Sequence, residues 1–516
     1  MLDADTPYDV AVIGAGVVGA AIARELAQYR LRCALLEAAD DVGTGTSKAN
    51  TAIHHTGFDA KPGTLEARLV RRGHALLADY APGAGIPLER IGALLVAWDD
   101  EQLAALPRIA DNAAQTGYGA ARRLDSAELY AREPQLGAGA RGALSIPDEG
   151  LICPFTTPLA FATEAVVNGV DLALDSPVEA VQSSTEADGG LHTLRTPRAA
   201  VRARYVVNAA GLYADLVDRM FGHAAFTITP RRGELIVFDK LAHPLLRHIV
   251  LPVPSRVSKG VLVSPTVFGN VVLGPTAEDI ADKRATGSTA AGLASLCEKG
   301  RRILPALLEE EVTAVYVGLR AATEHGDYQI AFHPAQRYVC VGGIRSTGLT
   351  ASMAIAEYVV DGLRDAGLPL VHRDAFERVR MPTIGEAFPR PYRCAERIAA
   401  DPDCGRIVCH CERVTRAEIL AAARAPVPAR SLDGVRRRTR ALLGRCQGFY
   451  CSAAVARLLA DASGQSVAAV FGFSEALECG GLPPLLGGRS GVDETTQPSP
   501  PQSGSKLPHS KASFAR

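Results

Sequence analysis

The chain has one tryptophan, four methionines and only 5% aromatic residues in 516 positions. With 55 basic against 56 acidic side chains it also lacks a net charge of either sign beyond −1. A nucleic-acid surface needs a basic excess interleaved with stacking aromatics, and the chain offers neither, so that partner class is excluded. No apolar run approaches the roughly 20 residues that cross a bilayer, so no transmembrane segment is predicted. An apolar strand begins near Tyr8, which leaves no room for a secretory signal and points to a cytoplasmic protein. No repeat of solenoid period is visible. Hydrophobic residues at 47% and charged residues at 22% exclude gross disorder and fit roughly two to four domains.

What is present starts at the N-terminus. Residues 8–13 read as a buried strand running into Gly14-Ala15-Gly16-Val17-Val18-Gly19. An Ala-rich helix over 20–29 follows, then a second apolar strand over 32–37 that ends in Glu37. This is a βαβ unit with a dinucleotide fingerprint. Gly14 allows the tight turn, Gly16 lets a pyrophosphate approach the backbone, and Gly19 permits close helix–strand packing. The helix N-terminus supplies unpaired N–H groups, and Glu37 can accept from ribose hydroxyls. Further strands at 205–209 and 338–341 lead into glycine turns, the first through Asn208-Ala209-Ala210-Gly211. The motif does not separate FAD from NAD; the distant Gly-rich returns favour FAD. Stretches 226–239 and 249–275 are strand-rich, as expected of a second domain built from insertions.

The 11 cysteines are unevenly placed, four before residue 341 and seven between Cys394 and Cys479. Thiols crowded into one short region indicate metal or redox chemistry rather than a disulfide framework. Cys409-His410-Cys411 and, after 34 intervening residues, Cys446 and Cys451 form a C-x-C…C-x4-C pattern. Four thiolates suit a [2Fe–2S] cluster, and structural zinc is the alternative with the same ligands. Cys394 and Cys404 stand outside the pattern. Arg436, Arg437, Arg438, Arg440 and Arg445 crowd the second pair, either offsetting cluster charge or forming a docking face.

These motifs resemble the D-amino-acid-oxidase-like flavoprotein superfamily, and within it the family of the large subunit of anaerobic glycerol-3-phosphate dehydrogenase. The likeness rests on Leu251-Pro252-Val253-Pro254, on residues 260–276 and on Gly343-Ile344-Arg345-Ser346-Thr347-Gly348-Leu349-Thr350. Residues 49–57 with Lys61-Pro62-Gly63 also resemble the L-2-hydroxyglutarate dehydrogenase branch. The thiol segment resembles a bacterioferritin-associated-ferredoxin-like domain. The resemblance covers about 1–470 and implies an α/β fold: an FAD-binding Rossmann-like domain with an interleaved antiparallel-sheet substrate domain, plus a small C-terminal iron–sulfur domain.

The implied FAD-binding parts are about 8–80, 151–225 and 311–370, and the substrate parts about 81–150 and 226–310. A linker over 371–403, a [2Fe–2S]-binding domain over 404–470 and a disordered tail over 480–516 complete the scheme. By the same resemblance, Thr46 and Ser47 lie along the flavin, and the turn carrying Gly343, Gly348 and Leu349 closes over it. His55 stands by the isoalloxazine with His54 as its competitor, and Arg320 holds the anionic end of the substrate. Arg231 and Arg232 are further candidates for that anion. The expected reaction is oxidation of a small anionic alcohol, first glycerol 3-phosphate, with 2-hydroxy acids or amines as alternatives. Electrons pass by FAD and the cluster to a quinone or a partner subunit, and a pure electron-transfer subunit is the remaining reading. Peripheral attachment to the inner face of a membrane through a partner is compatible with all of these.

Overall fold

Strand Tyr8–Ile13 is buried on both faces, which is why its sequence is nearly continuous in apolar residues instead of alternating. In the computed structural model, which describes residues 6–183, 190–254, 260–385 and 389–472, it forms the centre of an eight-stranded sheet. Parallel neighbours Cys33–Leu36 and Ala200–Asn208 flank it, and Tyr338–Gly342 continues the parallel set beyond the latter. Helices Val17–Leu26, Thr156–Val167 and Gly348–Asp365 pack together over this sheet, and helix Leu65–Ala84 packs on Gly348–Asp365. Gly73 permits that last contact, since a Cβ there would stand 2.3 Å from the Thr350 carbonyl oxygen.

A second, nine-stranded sheet is built from distant segments. Its longest pairing joins Thr229–Phe238 antiparallel to Val312–Ala322. Strands Ala93–Ala97, Arg122–Asp125 and Gly142–Ile146 extend the far side, so the insertions at 81–150 and 226–310 meet in one sheet. Val312–Ala322 differs from the sequence reading, which grouped 311–370 with the nucleotide-binding parts. Its partner lies about eighty residues upstream, and such register has no local signature.

Residues 371–385 run as an extended strap. Arg30 N donates to Val371 O, Val379 N to Glu164 Oε1 and Met381 N to Ala84 O, which ties the strap to three helices and loops of the first layer. After it, a hairpin of Ile407–Cys409 with Val414–Thr415 and helices Arg416–Arg424, Leu432–Thr439 and Ser452–Ser463 enclose a core of their own. Thr415 and Glu418 form a capping box at the first of these helices. Among the described residues no helix is long and apolar enough to cross a membrane. The expected tail over 480–516 and Cys479 lie outside the described residues.

Candidate active site and thiol domain

The fingerprint glycines are required by contact as well as by motif. A Cβ on Gly14 would stand 2.5 Å from the Ala209 carbonyl oxygen, and one on Gly19 would stand 1.9 Å from that of Gly14. Glu37 accepts from Ala15 N at 2.7 Å and from Ala39 N at 3.0 Å. Burial raises its pKa against those two hydrogen bonds. The carboxylate therefore sits against the glycine loop, bonded to backbone N–H groups. Ser47 Oγ accepts from Val17 N at 2.9 Å and so fastens residues 44–52 to the helix N-terminus.

From that N-terminus a single cavity runs between the two sheets. Gly16, Thr46, Ser47, His55, Gly211, Arg320, Gly343, Gly348 and Leu349 all line it, whereas Gly14, Gly19 and Glu37 are not among its lining residues. Residues 46–50 form one wall, with Thr46 Oγ1 donating to Leu319 O and Tyr316 OH to Asn50 O, each at 2.7 Å. Gly318 has to be a glycine here, because a Cβ would meet Ala49 O at 2.0 Å. A backbone-lined channel that starts at a helix N-terminus and closes on a Gly-rich turn fits an extended FAD.

The two histidines separate cleanly. His54 is fully buried, stacked 4.0 Å from the His74 ring, with Nε2 against His74 O at 3.0 Å. Burial, then the charge of His74, lowers its pKa to about 3. His55 faces the cavity instead, its backbone N–H bonded to Thr350 Oγ1 at 3.0 Å. Behind it lies Glu149, 0% exposed, with Oε2 at 3.3 Å from His55 Nδ1. The other Glu149 oxygen accepts from Thr56 N at 2.7 Å and Thr56 Oγ1 at 2.8 Å. Sequence reasoning missed Glu149. It sits almost a hundred positions from His55 and carries no motif, and only the antiparallel pairing of Ile53–His54 with Gly150–Ile152 brings them together.

Arg320 lines the cavity from strand Val312–Ala322. Its one hydrogen bond among the described residues is a long one, Nη1 to Thr276 O at 3.5 Å, and it forms no ion pair among them. Burial, then the nearby Arg231 charge, lowers its pKa, although a guanidinium stays charged throughout the working range. Arg231 and Arg232 are committed elsewhere. Their register partners across the strand are Asp279 and Glu278, and each arginine bonds its opposite carboxylate.

In the thiol domain, Cys409 and Cys451 are buried, Cys411 is exposed and Cys446 is half-buried. The side chains pair across the two loops, Cys409 with Cys451 and Cys411 with Cys446. The Cys451 contact lowers Cys409 to about 6 and pushes Cys451 itself up. The four thiols also act on one another across the pairs, Cys409 on Cys411 and Cys446, and Cys446 on Cys451, as the ligands of one [2Fe–2S] cluster would. Cys394 and Cys404 stay outside both pairs.

The arginine run does not surround the cysteines. Arg437 and Arg438 both bond the buried Asp41, at 2.6 Å each, and Arg440 bonds the buried Glu412 at 2.7 Å. Burial by itself would raise Asp41, but the bonds and charge of Arg438 and Arg437 override it and hold it low. Lys48, in the loop along the cavity, bonds Asp433 at 3.0 Å. Two of the five arginines thus fasten the thiol domain to the nucleotide-binding one. Arg436 bonds Asp433 of its own helix, and the exposed Arg445 bonds Asp239 and Glu311.

This fold and cavity define a flavin-dependent oxidoreductase with an iron–sulfur module. The FAD-dependent oxidoreductase (DAO) family model matches residues 9–362, and the BFD-like [2Fe–2S] binding domain model matches residues 407–461. The chain belongs to the DAO family. It is 37% identical to a glycerol 3-phosphate dehydrogenase of Caloramator mitchellensis over 88% of this chain and 94% of that one. The dithionite-reduced, FAD-bound L-alpha-glycerophosphate oxidase of Mycoplasma pneumoniae superposes with a TM-score of 0.69 at 28% identity, over 73% of this chain and 99% of that one. Human mitochondrial L-2-hydroxyglutarate dehydrogenase is 29% identical over 52% of this chain and 61% of its own length.

Proposed function

We propose that this protein oxidises glycerol 3-phosphate to dihydroxyacetone phosphate and delivers the electrons, through its thiol domain, to an acceptor outside the chain. One observation carries the reading: Arg320 is a half-buried guanidinium that forms no ion pair among the described residues and lines the cavity with His55. A charge partly withdrawn from water without a partner calls for an anion from the ligand. The named relative that spans both the flavin and thiol segments points to phosphate as that anion.

In this reading Arg320 holds the phosphate and His55 accepts the hydroxyl proton, while Glu149 orients the ring and offsets the charge it gains. FAD, when bound, supplies the hydride-accepting chemistry. The four thiols supply ligands for a [2Fe–2S] cluster, with a quinone or a partner subunit as the final acceptor.

The test is anaerobic addition of glycerol 3-phosphate to the purified holoprotein, followed by visible spectroscopy. Flavin bleaching and then loss of cluster absorption supports the proposal. Bleaching only with L-2-hydroxyglutarate would overturn the phosphate assignment and move the substrate to the carboxylates, which Arg320 can also hold.

A further inference from the structure

The cluster thiols are not symmetrically covered, and the side that opens to solvent has an unusual composition. The inner thiols, Cys409 and Cys451, point into the small domain's core, while Cys411 and Cys446 reach its surface. Between Cys446 and Cys451 stand Phe449, 93% exposed, and Tyr450, 72% exposed. His410, beside Cys411, sits edge-on to the Tyr450 ring at 5.3 Å. Two large aromatics are thus held outward at the rim of the open thiol pair, in a chain with few aromatics to spare. Isolated exposed aromatics need no explanation, but a cluster at a redox centre marks a contact surface.

The charge around them identifies the partner's character. Residues 407–461 contain ten arginines, no lysine and four carboxylates, whereas the whole chain is balanced at −1. Arg437, Arg438 and Arg440 are spent inside on Asp41 and Glu412. Arg413 and Arg457 remain exposed, the first adjoining an outer thiol loop, while the exposed Arg445 beside the other loop is bonded to Asp239 and Glu311. Arg457 shares the exposed side of helix Ser452–Ser463 with Ala453 and Ala454, small residues that let a partner approach. The surface is therefore aromatic at its centre and basic at its rim.

We infer that this face docks an acidic one-electron redox protein, which takes electrons at the Cys411–Cys446 edge. The inference rests on the proposed dehydrogenase reading for its electron source. Oxidising the alcohol to the ketone releases two electrons and two protons. Two ferric haem partners are reduced to ferrous in succession, and the protons leave to water. A membrane surface fits less well. The apolar faces of helices Arg416–Arg424, Leu432–Thr439 and Ser452–Ser463 are turned into the core, and beyond Phe449 and Tyr450 the small domain's exposed large apolar side chains among the described residues are Val467 and Phe471, too few for an amphipathic membrane helix.

Cytochrome b5, acidic with an exposed haem edge, serves as the probe, and cytochrome c, which is basic, as the control. Immobilised ferric cytochrome b5 should bind the full-length holoprotein at low salt and release it at high salt. With glycerol 3-phosphate it should be reduced in preference to cytochrome c. The double variant Phe449→Ser/Tyr450→Ser should lower both binding and cytochrome b5 reduction on the order of ten-fold. Its iron content and its rate with dichlorophenolindophenol should stay at wild-type levels. Arg457→Glu should weaken binding and flatten its salt dependence.

Unchanged binding in these variants, or preference for cytochrome c, would overturn the proposal. So would Phe449-dependent binding to phosphatidylglycerol vesicles in place of cytochrome b5. Failure of the substrate assignment would show separately, as absent dye reduction with cytochrome binding intact.

Discussion

A guanidinium partly withdrawn from water without a carboxylate keeps its cost of desolvation until a ligand offsets it, and the half-buried Arg320 is in that position. Truncation to Arg320→Ala removes a charge-assisted contact of about 1.5–3 kcal/mol, so KM for glycerol 3-phosphate should rise about ten- to a hundred-fold while bound FAD is retained. Steady-state kinetics with flavin quantified on the same sample decides it, and an unchanged KM removes the assignment. Arg320→Lys should recover only part of the loss, because an ammonium cannot present the planar fork. His54 makes a different prediction. Its folded pKa of about 3 lies below the ordinary histidine value, so the unfolded chain binds the extra proton first as pH falls. The stability contributed by neutral His54 is complete above about pH 6.5 and declines below it by about 1.4 kcal/mol per pH unit. His54→Gln, which can still donate to His74 O, should lose less melting temperature than wild type between about pH 7 and about pH 5. An equal loss in both would assign the acid sensitivity to other groups. Residues of this kind divide sharply in legibility. The fingerprint glycines and the cysteines announce themselves because their chemistry depends on local spacing. The choice of His55 over His54, and the presence of Glu149 behind it, depend on a strand pairing across almost a hundred positions.

At the scale of elements, the central contact is between residues 41–52 and helix Leu432–Thr439. Asp41 accepts two arginines and Lys48 reaches Asp433, so the loop that walls the cavity is also the seat of the thiol domain. Read along the chain, the arginine run could offset cluster charge or form a solvated or partner-docking face. In the fold its buried members instead bond carboxylates of this chain, Asp41 and Glu412. Asp41→Ala would leave Arg438 buried and uncompensated and Arg437 with Asp433 alone, a loss of about 3–5 kcal/mol at that contact. We expect faster proteolysis within 371–404, slower transfer from flavin to cluster in stopped-flow traces, and full iron content. Wild-type proteolysis and transfer rates would show that the other interdomain bonds suffice. Strand Val312–Ala322 follows the same logic at larger range. Its sequence is strand-like, but its sheet is decided by Thr229–Phe238, and Gly318 lies where that strand passes Ala49.

The whole molecule joins two units that the sequence already separates by texture, an α/β oxidoreductase and a thiol-rich module. The Mycoplasma oxidase corresponds to 73% of this chain and is covered over 99% of its own length, so the flavin unit alone matches a whole enzyme. Adding the second unit changes where electrons go, and this can be counted. A flavin stores two electrons and a [2Fe–2S] cluster one, so anaerobic reductive titration of the holoprotein should consume three equivalents per chain. Cys411→Ser removes one thiol of the outer pair and should reduce the uptake to the flavin's two, with cluster absorption and iron lost together. Glycerol 3-phosphate should still bleach the flavin in that variant, because the cavity holding His55 and Arg320 contains none of the four thiols. Three equivalents and wild-type iron in Cys411→Ser would exclude the ligand set of Cys409, Cys411, Cys446 and Cys451. Loss of flavin bleaching as well would show that the thiol domain, through Lys48 and Asp433, is needed to hold the cavity wall in place.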